Sequence, residues 1–586
     1  MNFLKPPADL LQRCSSYLSW NKIPPPVRNI IRTIIYGLVA GFAAVAFQKS
    51  INLINAGVWE KLKGTDIVTF AWVSFLVISG TSLLAGILMT KISPDAAGSG
   101  IPQLKLAFWK DFGYVPLRAV FVKFFGGILT IGGGASMGRE GPTVHIGGAL
   151  CSNIAGFMGV AKQGRRAATA AGAAAGLAAA FNTPLSSITF VLEEIIEDLN
   201  NSRYLVYTLI AAVLATFITH IFLGANPSFE IAQLSTVSYK IYLLVPLIAA
   251  AAALAGMLFQ RLTLNWRSHI KAKSRFPVWL RPAIGVLATW ILGVGVYWWC
   301  GSIGVFGLGY HALTDMLNDN MLWYVALALF VAKFFATISA YSWGGCGGIF
   351  APTLFIGAAV AVGITGLLDP LMPMSKDEHI VLAVLGMSAC LGAVVRAPIT
   401  SILIVFEMTH EFKFVPALMI GTVVSQAISR LMAKNNFYTE ALLRDGHNLE
   451  KIIPPRTLDA WQRLEVGSIA NFNPVTISAQ ELTKEKLTSL LALHPYNYFP
   501  VIDDNKCTGL LSRHNACLII DANDQPRLHP ALTLTPEAPI TQARDQLITT
   551  AEGVLILVNA NGQVVGLLTL HDFLRAEMKA LEAQKD

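Results

Sequence analysis

The chain has 586 residues, of which 54% are hydrophobic and 14% charged, with a mean hydropathy of +0.54; these values exclude a water-soluble globular protein of this size. The charge is uneven, since residues 1–449 carry 32 Lys+Arg against 20 Asp+Glu and residues 450–586 carry 12 against 16. The positive excess lies in the apolar part without a compact basic stripe, which excludes nucleic acid as a partner and fits basic loops beside membrane spans.

In chain order, the first stretch holds Pro6, Pro7 and an amphipathic run from Leu10 to Trp20 but no basic, apolar, small-residue succession, so no cleavable signal peptide is expected. Apolar runs from Ile30 to Ile54 and from Phe70 to Ile92 are long enough to span roughly 30 Å of hydrocarbon. From Phe121 to Leu223 and from Leu322 to Leu431, Gly, Pro or a charge interrupts the apolar sequence every ten to fifteen residues. That spacing predicts helices too short to cross alone, tolerated where they line an enclosed cavity. Full spans with kinks are the competing reading.

Three glycine-rich breaks end in proline: Gly98 to Pro102, Gly138 to Pro142, and Gly347 to Pro352. Proline suits the first turn of a helix, and glycines before it leave the unpaired N–H groups open, so each break reads as a helix N-terminus facing a ligand. Such an end carries about half a positive charge, and several aimed at one point could hold a halide loosely enough to release it. A tight turn or close helix packing explains any one break as well; three together favour the anion.

Glu140 lies inside the second break, where its carboxylate can compete with an anion for the same N–H groups until protonation relieves it. A loop carboxylate paired with Arg139 is the plainer alternative. Further on, Glu193 and Glu194 end an apolar helix, and Glu194 reads either as part of a solvated helix end running into Glu197 and Asp198 or as a proton-handling group at a membrane boundary.

An internal repeat bears on that choice. Gly138 to Ala149 aligns with Gly348 to Ala359 at an offset of 210 residues, and Pro184 to Glu193 aligns with Pro398 to Glu407 at 214. Paired interruptions in two halves of a membrane protein point to a transport site at the midplane. Glu193 thereby has Glu407 as counterpart, and a shared structural task; Glu194 faces Met408, and breaks the symmetry.

Glu440 to Arg463, with Pro454 and Pro455, reads as a linker. Beyond it, period-2 runs such as Val554 to Val558 alternate with helical ones such as Asp572 to Ala583, which predicts small α/β modules. Gly509 to Asn515 recurs as Gly566 to Asp572, 57 residues on. Cys14, Cys151, Cys300, Cys346, Cys390, Cys507 and Cys517 show no CxxC or Cys/His ligand spacing, so neither a disulfide framework nor a metal site is indicated, and they read as buried small hydrophobes.

The three breaks, in this order and spacing, resemble the signature loops of the CLC family of chloride channels and chloride/proton antiporters, over roughly Arg28 to Leu443. The tail resembles a tandem pair of cystathionine-β-synthase (CBS) domains. The resemblance implies a multi-pass α-helical membrane protein, an inverted repeat of broken and tilted helices, with a cytoplasmic α/β CBS pair. Its divisions are 1–27, an N-terminal cytoplasmic segment; 28–443, the membrane domain, in repeats of about 28–235 and 236–443; 444–463, the linker; 464–525 and 526–586, the CBS modules. It also implies a homodimer in the cell (inner) membrane with both termini cytoplasmic, and one ion path per subunit.

Carried over by residue, Ser99 and Tyr438 give hydroxyls to a chloride, with Gly100, Ile101, Gly138, Arg139, Gly141, Gly348, Ile349 and Phe350 around it. Glu140 matches the family's gate and external proton acceptor, and Glu194 the internal proton glutamate of many antiporters. Serine at position 99 favours chloride over nitrate by the same analogy. Gln103 and Lys105 stand where relatives carry acidic residues; neither is expected to touch the ion or change its chemistry. Ser512, Asn515, Thr569 and Asp572 resemble the stretch by which CBS domains hold an adenine nucleotide, although a strand leading into a capped helix explains them equally. The expected function is chloride/proton antiport, with chloride as substrate, no required cofactor and no catalytic residue. The alternatives are a passive gated chloride channel of the same fold and a CBS-regulated cation transporter or sensor. A cation path would want carboxylates or carbonyls where these breaks expose N–H ends.

Overall fold

A computed structural model describes residues 24–160, 164–199, 202–231, 238–448, 465–522, 525–550 and 552–582. The chain forms two compact units, Met1–Ile452 and Ile453–Asp586. The amphipathic stretch from Leu10 to Trp20, Cys14 and most of the expected linker lie outside the described residues.

The first unit is helical. Its first half runs α1 (Pro25–Ile54), α2 (Ile67–Ile92), α3 (Ile101–Lys110), α4 (Leu117–Gly127), α5 (Glu140–Phe157), α6 (Arg165–Phe181), α7 (Pro184–Phe190) and α8 (Ser202–Leu223). The second repeats that order: α9 (Val245–Lys273), α10 (Arg281–Cys300), α11 (Tyr310–Leu317), α12 (Trp323–Ser342), α13 (Phe350–Leu368), α14 (Lys376–Val395), α15 (Pro398–Thr409) and α16 (Val415–Met432), followed by α17 (Phe437–Arg444). Large apolar side chains such as Trp72, Leu76, Phe217 and Trp298 stand exposed on the outer helices, a face suited to hydrocarbon rather than water.

The halves agree down to their helix ends. α6 stops at Asn182 and α14 at Arg396, both left-handed at φ 59°, and each is followed two residues later by the proline that opens α7 or α15. At the centre, Gly138 and Gly348, equivalent by the 210-residue offset, form an antiparallel bridge with N···O distances of 2.7 and 2.6 Å. Equivalent residues that pair antiparallel lie on a two-fold axis, so the repeats are inverted.

The expectation that segments between the breaks are too short to cross holds for most of the first stretch, where α4, α6 and α7 have 11, 17 and 7 residues and none is among the helices long and apolar enough to span, and is corrected for most of the second. α12, α13 and α14 have 20, 19 and 20 residues and are among nine helices in the described residues long and apolar enough to span. The glycines read as interruptions are packing contacts instead. A Cβ on Gly147 would strike the Gly172 carbonyl and the reverse, and Gly357 and Gly386 repeat the arrangement. Glycine here lets α5 cross α6, and α13 cross α14, backbone to backbone. In the second stretch the short piece is α15, with 12 residues, and outside both stretches α3 and α11 are short as well, with 10 and 8.

The second unit holds two like modules. In the first, β1 (Ile477–Ser478) pairs parallel with β2 (Tyr498–Asp503), which pairs antiparallel with β3 (Lys506–Ser512); α18 (Lys484–Leu493) and α19 (Arg513–Ala522) accompany them. In the second, β4 (Leu532–Leu534), β5 (Val554–Val558) and β6 (Val564–Thr569) pair in the same order, with α20 (Ile540–Thr549) and α21 (Leu570–Glu582). Gly509 and Gly566 occupy one role in both: the segment at His529 crosses beside the first and that at Asn471 beside the second, where a side chain would collide.

Among the described residues Cys151, Cys346 and Cys390 are buried, but Cys517 is exposed and Cys300 and Cys507 are intermediate, so only part of the cysteine expectation holds.

Candidate ion and proton site

All three breaks become helix N-termini. α3 starts after Gly100, held at φ 90° with Pro102 in its first turn; α5 starts at Glu140 and α13 at Phe350. The chain supplies a fourth, α17, capped by Asn436, whose Oδ1 accepts from Thr439 N at 2.8 Å.

Between these ends lie two hydroxyls, Ser99 Oγ and Tyr438 Oη, both buried and both without a hydrogen-bond partner. The two hydroxyls lie near each other, and Glu140 and Glu194 are within electrostatic reach of Tyr438. Buried hydroxyls normally find an acceptor. Two orphaned donors beside helix N-termini fit a small anion, which would satisfy both. Gly141 passes so close to Ser99 that a Cβ would strike its Oγ, and Ile101, Ile349 and Phe350 are buried around them.

Glu140 is fully buried. Its Oε1 accepts from the Tyr310 hydroxyl at 2.7 Å and its Oε2 from Ala351 N, at the start of α13, at 3.4 Å. The carboxylate therefore occupies a helix N-terminus of the opposite repeat. The alternative pairing with Arg139 is not the geometry found: the Arg139 guanidinium donates to Ala180 O at 3.1 Å and lies over the Tyr310 ring. Gly138 and Gly348 lie beside the cluster with their own N–H groups spent on each other in the central bridge.

Two cavities flank this cluster. One of about 600 Å³ reaches Gly98 and Tyr341; another of about 550 Å³ reaches Arg139 and Tyr310. Glu140, Ser99 and Tyr438 line neither.

Glu194 is also buried, which removes the solvated-helix-end reading. It sits in a π-helical turn, Val191–Ile196, that follows α7, and Trp109 Nε1 fixes that turn by donating to Ile195 O at 2.9 Å. Its Oε1 accepts from Lys105 Nζ at 2.8 Å and its Oε2 from Asn436 Nδ2 at 2.6 Å. Lys105 further bonds Glu197 at 2.8 Å and Thr439 Oγ1 at 3.1 Å, so this fully buried ammonium has three acceptors. The expectation that Lys105 leaves the chemistry untouched is thus corrected: it avoids the anion cluster but holds Glu194. Gln103 stays apart, its Nε2 3.5 Å from Ala97 O.

The contact of Lys105 with Glu194, and Tyr310 altogether, escaped the sequence reading. A lone lysine in an apolar helix signals nothing until its partner, 89 residues on, is placed beside it. Tyr310 carried a signal in the repeat, since the 210-residue offset sets it opposite Gly100 and sets Lys333 opposite Lys123.

In the tail, Ser512 Oγ accepts from Asn515 N at 3.1 Å and Thr569 Oγ1 from Asp572 N at 3.1 Å, while Asp572 accepts the Thr569 hydroxyl proton at 2.6 Å. These side chains act as helix caps within the chain, as the plainer reading requires.

Residues 81–430 match the family described as "Voltage gated chloride channel", and residues 528–579 match the CBS domain. Curated relatives include proteins named "H(+)/Cl(-) exchange transporter ClcA": that of Citrobacter koseri is 29% identical over 72% of this chain and 89% of its own, and that of Vibrio campbellii 29% over 74% and 93%. Among solved structures, "a slow cyanobacterial Cl-/H+ antiporter" superposes with a TM-score of 0.63 at 26% identity, covering 72% of this chain and 99% of that one. "A eukaryotic CLC transporter" covers 93% and 98% with a TM-score of 0.62 at 18% identity, a likeness of fold.

Proposed function

This chain belongs to the voltage gated chloride channel family, and on that premise we propose that it is a chloride/proton antiporter of the cell membrane. The observation that carries the reading is the Glu140 carboxylate on the amide of Ala351, beside two orphaned hydroxyls. Chloride arriving from one cavity sheds water onto Ser99 and Tyr438, and its next station is the N-terminus that Glu140 holds. An anion and a carboxylate cannot share that end, so the carboxylate must take a proton or swing away before chloride passes. Partial charges of helix ends bind the ion without trapping it. Glu194 is the internal proton station, and Glu197, with 27% of its side chain exposed, leads from it to solvent. Lys105, between them, keeps Glu194 oriented.

No covalent step and no cofactor are required. A homodimer with both termini cytoplasmic, and the inner membrane as location, follow the family. An adenine nucleotide on the tail would draw Ser512, Asn515, Thr569 and Asp572 from their caps; a rise in Tm of the full-length protein on titration with ATP tests it.

Reversal potentials of the reconstituted protein under crossed chloride and pH gradients test the main reading. Antiport displaces them with the pH gradient, whereas a passive channel follows chloride alone. Glu140→Gln, which mimics the protonated carboxyl, is expected to abolish proton coupling while anion flux persists; proton movement surviving in that variant rejects the role given to Glu140.

A further inference from the structure

The inverted repeat gives the Ser99 loop a counterpart across the axis. Lys123 Nζ donates to Ala96 O and Gly98 O at 2.7 and 2.8 Å, fixing the loop that ends at Gly100 and α3. Its equivalent Lys333 donates to Gly304, Val305 and Gly307 carbonyls at 3.2, 3.2 and 2.7 Å, fixing the loop that ends at Gly309 and α11. Gly309 is left-handed at φ 74°, as Gly100 is at 90°. The scaffold is shared and the occupants differ. The first loop presents a hydroxyl, Ser99, with no partner in the protein; the second presents the Tyr310 hydroxyl to Glu140 at 2.7 Å.

Resting on the antiport reading, we infer that Tyr310 is a positioning residue, an outer latch whose hydroxyl holds the Glu140 carboxylate on the Ala351 amide and sets how readily it yields to an anion. Its ring is itself braced, edge-on to Phe229 with centroids 5.3 Å apart and beneath the Arg139 guanidinium at 5.3 Å. The hydroxyl therefore arrives at a fixed place beside the second cavity, which Tyr310 lines. A hydrogen bond to an ionised carboxylate is about twice as strong as one between neutral groups, so the latch grips the charged form and loosens when Glu140 takes a proton.

The groups that act on Glu140 are Arg139 from its own helix start, Tyr310 from α11 and Tyr438 from α17. Tyr310→Phe changes one of them by a single oxygen and keeps the ring and both of its braces. Without the latch, protonated Glu140 is favoured, and the pH dependence of chloride flux in proteoliposomes is expected to move about one unit alkaline, roughly tenfold in proton concentration. Tyrosine fluorinated beside the hydroxyl, a stronger donor of nearly the same shape, should move it the other way. In the Glu140→Gln background, where no carboxylate remains to be held, adding Tyr310→Phe should leave flux within about twofold. A Tyr310→Phe profile that superimposes on the wild type overturns the latch, as does an equal shift in the Glu140→Gln background. If Glu140→Gln itself keeps full proton coupling, the antiport role of Glu140 fails instead, which separates the two failures.

Discussion

Glu193 and Glu194 are neighbours in the chain and opposites in use. Glu193 accepts from Ile399 N and Thr400 N of α15 at 3.2 and 2.9 Å, and its equivalent Glu407 accepts from Leu185 N and Ser186 N of α7 at 2.8 and 2.7 Å. Each repeat thus caps the short helix of the other, satisfying N–H groups that would otherwise be orphaned and placing a negative charge at the positive end of a helix. Glu194 has no such twin, since Met408 stands in its place, fully buried. The carboxylates that duplication keeps build the scaffold; the unmatched Glu194 caps no helix of the other repeat and is the one to which we assign proton transfer. The same contrast holds between Lys123 and Lys333, which match, and Ser99 and Leu308, the residues before the left-handed Gly100 and Gly309, which do not.

The largest effect expected from that contrast lies at the unmatched residue. Glu194→Gln keeps the shape and a hydrogen-bonding oxygen but cannot carry a proton between the interior and Glu140. Proton flux driven by a chloride gradient should fall by more than about tenfold while chloride flux stays within a few-fold, because the hydroxyl and amide cluster is unaltered. Equal loss of both fluxes would place Glu194 in the scaffold with Glu193.

Lys105 sharpens the comparison at intermediate size. Lys105→Met strands Glu194 in the protein interior without its cation, and breaking a buried pair from one side costs about 3 kcal/mol or more. The double variant Lys105→Met/Glu194→Gln removes both charges and should recover most of that loss, read as Tm in detergent. Failure to recover would mean that Lys105 matters through Glu197 and Thr439, its other acceptors, rather than through Glu194.

Legibility follows from how local each signal is. The starts of α3, α5 and α13 could be read directly because glycine then proline is a signal confined to a few residues. So could the existence of β5, a run of five apolar residues from Val554 to Val558, although the expected alternation is absent because Leu555, Ile556 and Leu557 are all buried. Helix lengths in the second half could not: Gly357 and Gly386 look like breakers in sequence, and only the crossing of α13 and α14 turns them into contacts. The charge partners were equally hidden. Lys105 and Glu194 meet because the π-helical turn aims Glu194 inward while Glu193, one residue before, reaches α15. The roles of Glu193 and Glu407 emerged from the repeat, which places two carboxylates in register without showing what they touch.

The smallest effects should fall on that matched pair. Glu193→Gln and Glu407→Gln each exchange a carboxylate that accepts from two backbone N–H groups for an amide that accepts with one oxygen and turns its NH2 toward the other donor. Losing a charge-assisted bond and leaving one N–H unsatisfied costs about 1–3 kcal/mol per site. Glu407, 8% exposed, should lie at the upper end because water cannot replace the lost acceptor; Glu193 is more open and also accepts from Thr400 Oγ1 at 2.7 Å, a hydroxyl that can turn to another partner. Both variants should lower Tm and leave the ratio of chloride to protons at its wild-type value. An altered ratio in either would show that the two cross-repeat caps take part in exchange, and that symmetry is no guide to which carboxylate moves the proton.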